Sequence, residues 1–227
     1  MISKNDFIEL EFTGSVKGGE IFDTNIKEDA KKSGLEIDAK PFIICVGQEM
    51  VIPGLDKALE EKEIGKDYNA QVEPKDAFKE RRKELVRLIP MNAFTEKEIH
   101  PRAGMMLALD NTLVKVISVS GGRVLCDFNN PLAGKVVTYK FKIKRKVDDL
   151  KEKSEAVAKY FLGKEVKLEI EENKINIECE EFFKPLIDMI NSKFRDILKA
   201  EFVIKKGEEK KDEKEEKEDE KEMINNV

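Results

Sequence analysis

P-F-I-I-C-V-G-Q-E-M-V-I-P-G-L-D-K-A-L, running from Pro41 to Leu59, is the stretch whose reading decides the fold. Phe42 to Val46 is a continuous apolar run of β-branched and aromatic residues, which predicts a strand buried on both faces. Gly47 ends that run. Beyond the Pro53-Gly54 punctuation, Leu55 and Leu59 stand four apart, the spacing of a short helix. Val51 and Ile52 lie between strand and helix, on a turn, where apolar residues are uncommon. Two readings of the pair stand side by side. They plug the core beneath the helix, or they line an apolar pocket whose wall includes a free backbone N–H.

Working outward, residues 5–13 alternate, with Ile8, Leu10 and Phe12 on one side and Phe7, Glu9, Glu11 and Thr13 on the other. That is the pattern of a half-buried strand. Thr13-Gly14 and Lys17-Gly18-Gly19 supply turns, and Ile21 to Asn25 returns as a short strand. Residues 26–40 read as a polar surface insertion with a helical turn at Glu28–Lys32, stopped by Ser33-Gly34. Tyr68 to Val72 alternates and is closed by Pro74. Val136 to Ile143 alternates too, with Val137, Tyr139, Phe141 and Ile143 sharing a face.

Between these last two strands the character changes. Leu85 to Pro90 is extended, and Met105–Leu109, Leu113–Val119 and Arg123–Cys126 are strand candidates. Asp110-Asn111-Thr112 and Ser120-Gly121-Gly122 join them as hairpin turns. Residues 86–127 therefore read as a small inserted β module. Its apolar residues Leu88, Ile89, Met91, Phe94, Met105 and Met106 have two readings: they fill the module's small core, or they exceed what so small a module buries and leave an adaptable, Met-rich surface, the reading favoured here.

From Val147 a third unit begins, in the order α-β-β-α-β. Val147, Leu150, Val157, Tyr160 and Phe161 fall at helical spacing before Gly163. Residues 166–170 and 175–179 flank Glu172-Asn173-Lys174 as a hairpin, and Phe183 to Leu198 carries a long apolar stripe. Phe202 to Ile204 is the last strand. The stripe suggests a homodimer through residues 147–206. Residues 207–227 are a Glu/Lys run that cannot bury enough apolar surface to order itself.

Charge narrows the partners. Glu208 to Glu222 holds ten acidic and five basic residues, so this run alone accounts for the net charge of −5, and the remainder is balanced. A neutral body argues against nucleic acid, whose binding depends on neutralising phosphates. No apolar run approaches the ~20 residues of a membrane span, and Met1 to Phe7 has no apolar signal region, so the expected location is cytoplasmic. Cys45, Cys126 and Cys179 are scattered and read as small apolar residues, and His100 has no Cys or His near it, so neither a metal nor a cofactor is expected.

Phe12-Thr13-Gly14, then Phe22-Asp23, then Gly47-Gln48-Glu49-Met50-Val51-Ile52-Pro53-Gly54-Leu55 occur in an order that resembles the FKBP-type peptidyl-prolyl isomerases. Leu132-Ala133-Gly134 before a final strand, with a β module ahead of it, looks like the SlyD-type branch, and the third unit resembles the long archaeal members. The resemblance implies an α+β fold: an antiparallel half-barrel wrapped on a short helix (residues 1–85 and 128–146), an inserted flap domain (86–127), an α+β C-terminal domain (147–206) and a charged tail (207–227). It places Phe12, Asp23, Ile52, Phe78 and Tyr139 in the catalytic role and Phe22, Phe42, Val51, Leu55 and Leu132 around the substrate. It also implies that unfolded clients dock on the inserted domain. Three positions depart from the family pattern: Phe12 stands where Tyr is frequent, Leu55 where many members have Trp, and Phe78 where an A-Y-G motif has Tyr. The loss of the last hydroxyl leaves a second reading, a holdase whose isomerase pocket has decayed. A SlyD-type His/Cys tail is missing, so nickel binding is not implied.

Rotation about an X-Pro bond needs no nucleophile, acid, base or cofactor. It must surmount a barrier of ~18–20 kcal/mol, and about 4 kcal/mol of stabilisation speeds it a thousandfold. The absence of a Ser/His/Asp or Cys/His constellation is what such a reaction expects.

Overall fold

Ten residues, Phe7–Val16, form β1, the strand to which three others pair. The computed structural model describes residues 1–37, 42–109 and 112–205. Pro41, the Asp110-Asn111 part of the predicted hairpin turn and the 207–227 run lie outside the described residues. The chain divides into two compact units, Met1–Lys146 and the residues from Val147 onward.

In the first unit β1 is followed by β2 (Ile21–Thr24), α1 (Lys27–Ser33), β3 (Phe42–Cys45), α2 (Pro53–Leu59) and β4 (Asp67–Val72). The inserted segment holds β5 (Val86–Pro90), α3 (Asn92–Thr95), β6 (Met106–Leu109), β7 (Thr112–Ser120) and β8 (Arg123–Asp127), and β9 (Val137–Lys146) returns to the first sheet. That sheet runs β2-β1-β9-β4, with β3 also on β1, and every pairing is antiparallel. On one side β9 pairs with β1 from Ile8 to Val16. On the other, β3 takes the first half of β1 (Phe7↔Cys45 to Leu10↔Phe42) and β2 the second (Thr13↔Thr24, Gly14↔Asp23). The gap between them is closed by a side chain: Asn25 Oδ1 accepts from Phe12 N–H at 2.8 Å and its Nδ2 donates to Leu10 O at 2.7 Å. An amide here does what a strand partner would do, and the buried backbone groups of β1 stay satisfied.

Helix α2 begins at Pro53, so Pro53-Gly54 is its first turn rather than punctuation before it, as suits a proline whose missing N–H costs nothing there. Leu55 and Leu59 enter the core with Ile8, Leu10, Ile44 and Ile143. Gly54 lies so close to β4 that a Cβ built on it would stand 2.2 Å from Val72 Cγ1. Buried Asp56 accepts from Gly47 N–H at 2.8 Å and Glu49 N–H at 3.0 Å, which pins the turn leading into Val51-Ile52. The four predicted members of the β9 face, Val137, Tyr139, Phe141 and Ile143, are all buried. Cys45 and Cys126 are buried and Cys179 half-buried, all three as free thiols.

The inserted strands form their own antiparallel sheet in the order β5-β8-β7-β6. Its inner face carries Val114, Val116, Val124, Cys126 and Leu107, all packed with Phe94 of α3.

The second unit begins with α4 (Leu150–Leu162), capped by Asp149, whose side chain accepts from Glu152 N–H at 2.8 Å. After it come β10 (Leu168–Glu171), β11 (Lys174–Glu178), α5 (Lys184–Leu198) and β12 (Glu201–Lys205). β10 and β11 are antiparallel, whereas β12 returns through α5 to lie parallel to β11. Ile187, Ile190, Phe194 and Leu198, the heart of the stripe that suggested a dimer, are buried inside this unit. Tyr160, expected on the inner face of α4, is exposed instead. Among the described residues no helix is long and apolar enough to cross a membrane.

Candidate active site

Five aromatic rings from four strands and one loop meet on one side of the first sheet. Phe42 on β3 lies 5.6 Å from Phe12 on β1, and Phe12 lies 6.1 Å from Tyr139 on β9. Tyr139 is 5.9 Å from Phe22 on β2, edge-on, and Phe22 is 5.5 Å from Phe78 in the loop after β4, again edge-on. These tilted and edge-to-face contacts are the favoured aromatic geometries. The five sequence-predicted rings thus form one continuous apolar wall. Phe12 and Tyr139 are buried within it, while Phe22, Phe42 and Phe78 remain half-buried.

A glycine makes the wall possible. Gly14 pairs with Tyr139 on one side and Asp23 on the other. A Cβ there would stand 2.9 Å from both Phe22 Cζ and Tyr139 Cε1. Beside it the register slips: Gly14 faces Asp23 and Ser15 faces Ile21, leaving Phe22 as the extra residue of a bulge. Bulges re-aim side chains, and this one turns Phe22 toward Tyr139. Asp23 stands at the exposed edge of the wall. Partial burial pushes its carboxyl above the ordinary range, offset by the Thr24 amide. Burial also raises the Tyr139 phenol, and the nearby Asp23 charge adds to the shift. Burial keeps the Tyr139 phenol in its neutral form at neutral pH.

Val51 and Ile52 are half-buried at the entrance to α2. Ile52 O accepts from the Leu55 and Asp56 amides at 3.0 Å each, and among the described residues no group accepts from the Ile52 N–H. Leu55 is fully buried. It belongs to the core beneath the wall rather than to an open surface, because it shares the inward side of α2 with Leu59. Leu132 is half-buried in the loop that returns from the inserted sheet, held by Asn130 Oδ1, which accepts its N–H at 2.8 Å.

The residues expected on the surface of the inserted domain separate into two sets. Phe94 is a correction: it is 1 % exposed and forms the centre of the module's core. A four-stranded sheet needs something to cover its inner face, and α3 offers this one large ring, whose burial is worth about 1.5–3 kcal/mol. Ile89 and Met91 pack partly against the same core. Leu88 and Met106 are 59 % and 42 % exposed, and Met105 is exposed just before β6. Cross-strand register puts Leu88 opposite Leu125, Met106 opposite Lys115 and Ala108 opposite Leu113, all on the face away from Phe94. Leu113, 51 % exposed, was not expected there. Its alternation with buried Val114 and Val116 was visible in the sequence, but only the pairing says which set faces the helix.

Residues 1–100 match the model of the FKBP-type peptidyl-prolyl cis-trans isomerase, and residues 87–132 match that of the FKBP26 IF domain. Residues 1–100 belong to the FKBP-type peptidyl-prolyl cis-trans isomerase family. The chain is 28 % identical over 147 residues to the short-type peptidyl-prolyl cis-trans isomerase of Methanocaldococcus jannaschii, a match covering 63 % of this chain and 93 % of that one. It is 27 % identical over 139 residues to the FKBP-type isomerase SlyD of Aeromonas hydrophila, covering 60 % of each. Among solved structures, the three FKBP domains of wheat FKBP73 align with a TM-score of 0.35 and 15 % identity over 65 % of this chain and 40 % of that one, a likeness too loose to bear on the fold. Within the FKBP unit, the aromatic wall lies in the matched segment except for Tyr139. Among the described residues no three His, Cys, Asp or Glu side chains gather as a metal site would require.

Proposed function

We propose that this FKBP-type isomerase rotates X-Pro bonds against the aromatic wall and holds unfolded chains on the outer face of its inserted sheet. The observation that carries the second half is the exposure of Leu88, Met106 and Leu113 together on one side of a sheet whose other side is already covered by Phe94. Exposed leucines and a methionine on an open sheet face, beside the polar Lys115, suit partners that vary in sequence.

For the isomerisation, the planar amide has charge separation that the twisted amide loses. A wall of Phe12, Phe22, Phe42, Phe78 and Tyr139 favours the twisted form over the planar one. The Ile52 N–H is the donor for a substrate carbonyl, and Asp23 orients polar groups at the edge. The partner class is unfolded protein containing X-Pro bonds.

The test is a full-length variant with Leu88→Ser, Met106→Ser and Leu113→Ser. Binding to a permanently unfolded, reduced and carboxymethylated protein is expected to weaken at least tenfold, and proline-limited refolding to slow in step. Isomerisation of a short X-Pro peptide is expected to stay within twofold of the parent. Client binding of parental strength in the triple variant would remove this face from the reading.

A further inference from the structure

Two stretches of chain join the first sheet to the inserted one, residues 79–85 outward and 127–134 on return. They are tied to each other at both ends: Gly134 N–H donates to Lys79 O at 2.9 Å, and Phe128 N–H to Leu85 O at 2.9 Å. Between these bonds a single buried amide works in both senses. Asn129 Oδ1 accepts from Arg82 N–H at 2.8 Å, and its Nδ2 donates to Arg82 O at 2.9 Å. The same Nδ2 donates to Asp127 Oδ1 at 2.7 Å, which also accepts the Asn129 N–H at 3.0 Å. The other Asp127 oxygen is met by the Arg81 guanidinium. Asp127 and Asn129 are both buried, which is tolerable only because each polar group has a partner.

This node touches both working parts of the molecule. On the pocket side, Phe78 immediately precedes Lys79, and Leu132 lies between Asn130, which holds it, and Gly134. Lys79 itself is held in the left-handed region at φ 69°, an uncommon conformation for a lysine. On the other side Asp127 ends β8, opposite Val86 and Lys115, in the row of the inserted sheet that also contains Met106.

We infer that Asp127, Asn129 and Arg81 form a joint that fixes the inserted sheet relative to the aromatic wall, so that a chain held on the sheet presents its X-Pro bond to the wall. They are positioning residues for protein substrates and are idle for short peptides. The inference rests on the reading that unfolded chains dock on the outer face. Its physical basis is effective concentration. A tethered segment meets the wall often when the joint restricts the directions available to it, and less often when the joint swings freely.

The experiment uses the full chain with Asn129→Ala and, separately, Arg81→Gln, a milder change that removes the charge from a side chain 55 % exposed and keeps an amide able to donate to the Asp127 carboxylate. Three quantities are measured: kcat/KM on a short X-Pro peptide, affinity for a permanently unfolded carboxymethylated protein, and kcat and KM for refolding of a proline-limited protein. The expected result for Asn129→Ala is a fall of at least fivefold in refolding kcat/KM, mainly in kcat, with the other two quantities within twofold. Arg81→Gln is expected to show the same pattern with a smaller loss. Undiminished refolding in both variants would overturn the joint. Equal losses in all three measurements would assign these residues a merely structural role and overturn it as well. If the parent chain itself does not bind the unfolded protein, the client reading fails and this inference falls with it, an outcome distinct from the other two.

Discussion

Replacing Gly54 with alanine sets two effects against each other. Inside a helix, Gly→Ala ordinarily gains about 1 kcal/mol. In α2 the added Cβ would lie 2.2 Å from Val72 Cγ1. Carbon atoms rest at about 3.5–4.0 Å, so helix and strand must part by more than about 1 Å. The helix has little freedom to retreat: Leu55 and Leu59 anchor it in the core, and Asp56 ties it to the 47–49 turn. Overpacking of this kind costs about 1–3 kcal/mol, and the very short approach places Gly54 at the upper end. A net loss of about 1–2 kcal/mol is expected, read as a lower midpoint in urea unfolding of the full chain. Val72→Ala alone removes buried methyl groups, at a cost of about 2 kcal/mol. The double variant should be more stable than the two losses summed, by about 1 kcal/mol or more. A stabilised Gly54→Ala protein, or a strictly additive double variant, would refute the claim that close approach of α2 to β4 requires this glycine.

Two further outcomes follow from the site. Gly14→Ala puts a methyl group against Phe22 and Tyr139; kcat/KM on a short X-Pro peptide is expected to fall about tenfold, equivalent to about 1.4 kcal/mol of barrier, and an unchanged value would mean the rings tolerate separation. Burial alone would raise the Asp127 carboxyl, but Asn129 and Arg81 outweigh it and hold the group below its ordinary 3.8. A depressed carboxyl supplies stability that is present above its unfolded pKa and lost as pH falls through the folded one. The loss of Tm between pH 5 and pH 2 should therefore be smaller in Asp127→Asn than in the parent; an identical acid profile would show that the node contributes nothing to acid sensitivity.

The local patterns that depend on a residue's immediate neighbours were legible in the chain. Alternation in residues 7–12 and 137–143, the apolar run from Phe42, and the glycine stop after Leu162 mark strands and helices because backbone periodicity is set within a few residues. The ordered motifs around Phe22-Asp23 and Val51-Ile52 carried the family likeness. The register could not be read in the same way. The bulge that turns Phe22, the Asn25 amide that fills the gap between β2 and β3, and the 2.2 Å approach of Gly54 to Val72 each depend on residues far apart in sequence. Phe94 shows the same limit from the other direction: its apolar character was plain, but whether it lay inside or outside the inserted domain depended on which face of the sheet α3 covers. The sequence by itself determined the element types and the chemical kind of the site, because those follow from local spacing and side-chain chemistry. Tertiary structure alone decided how the five rings meet as a wall, which other apolar residues fill the cores and which stay open, because burial is a property of strand pairing and packing.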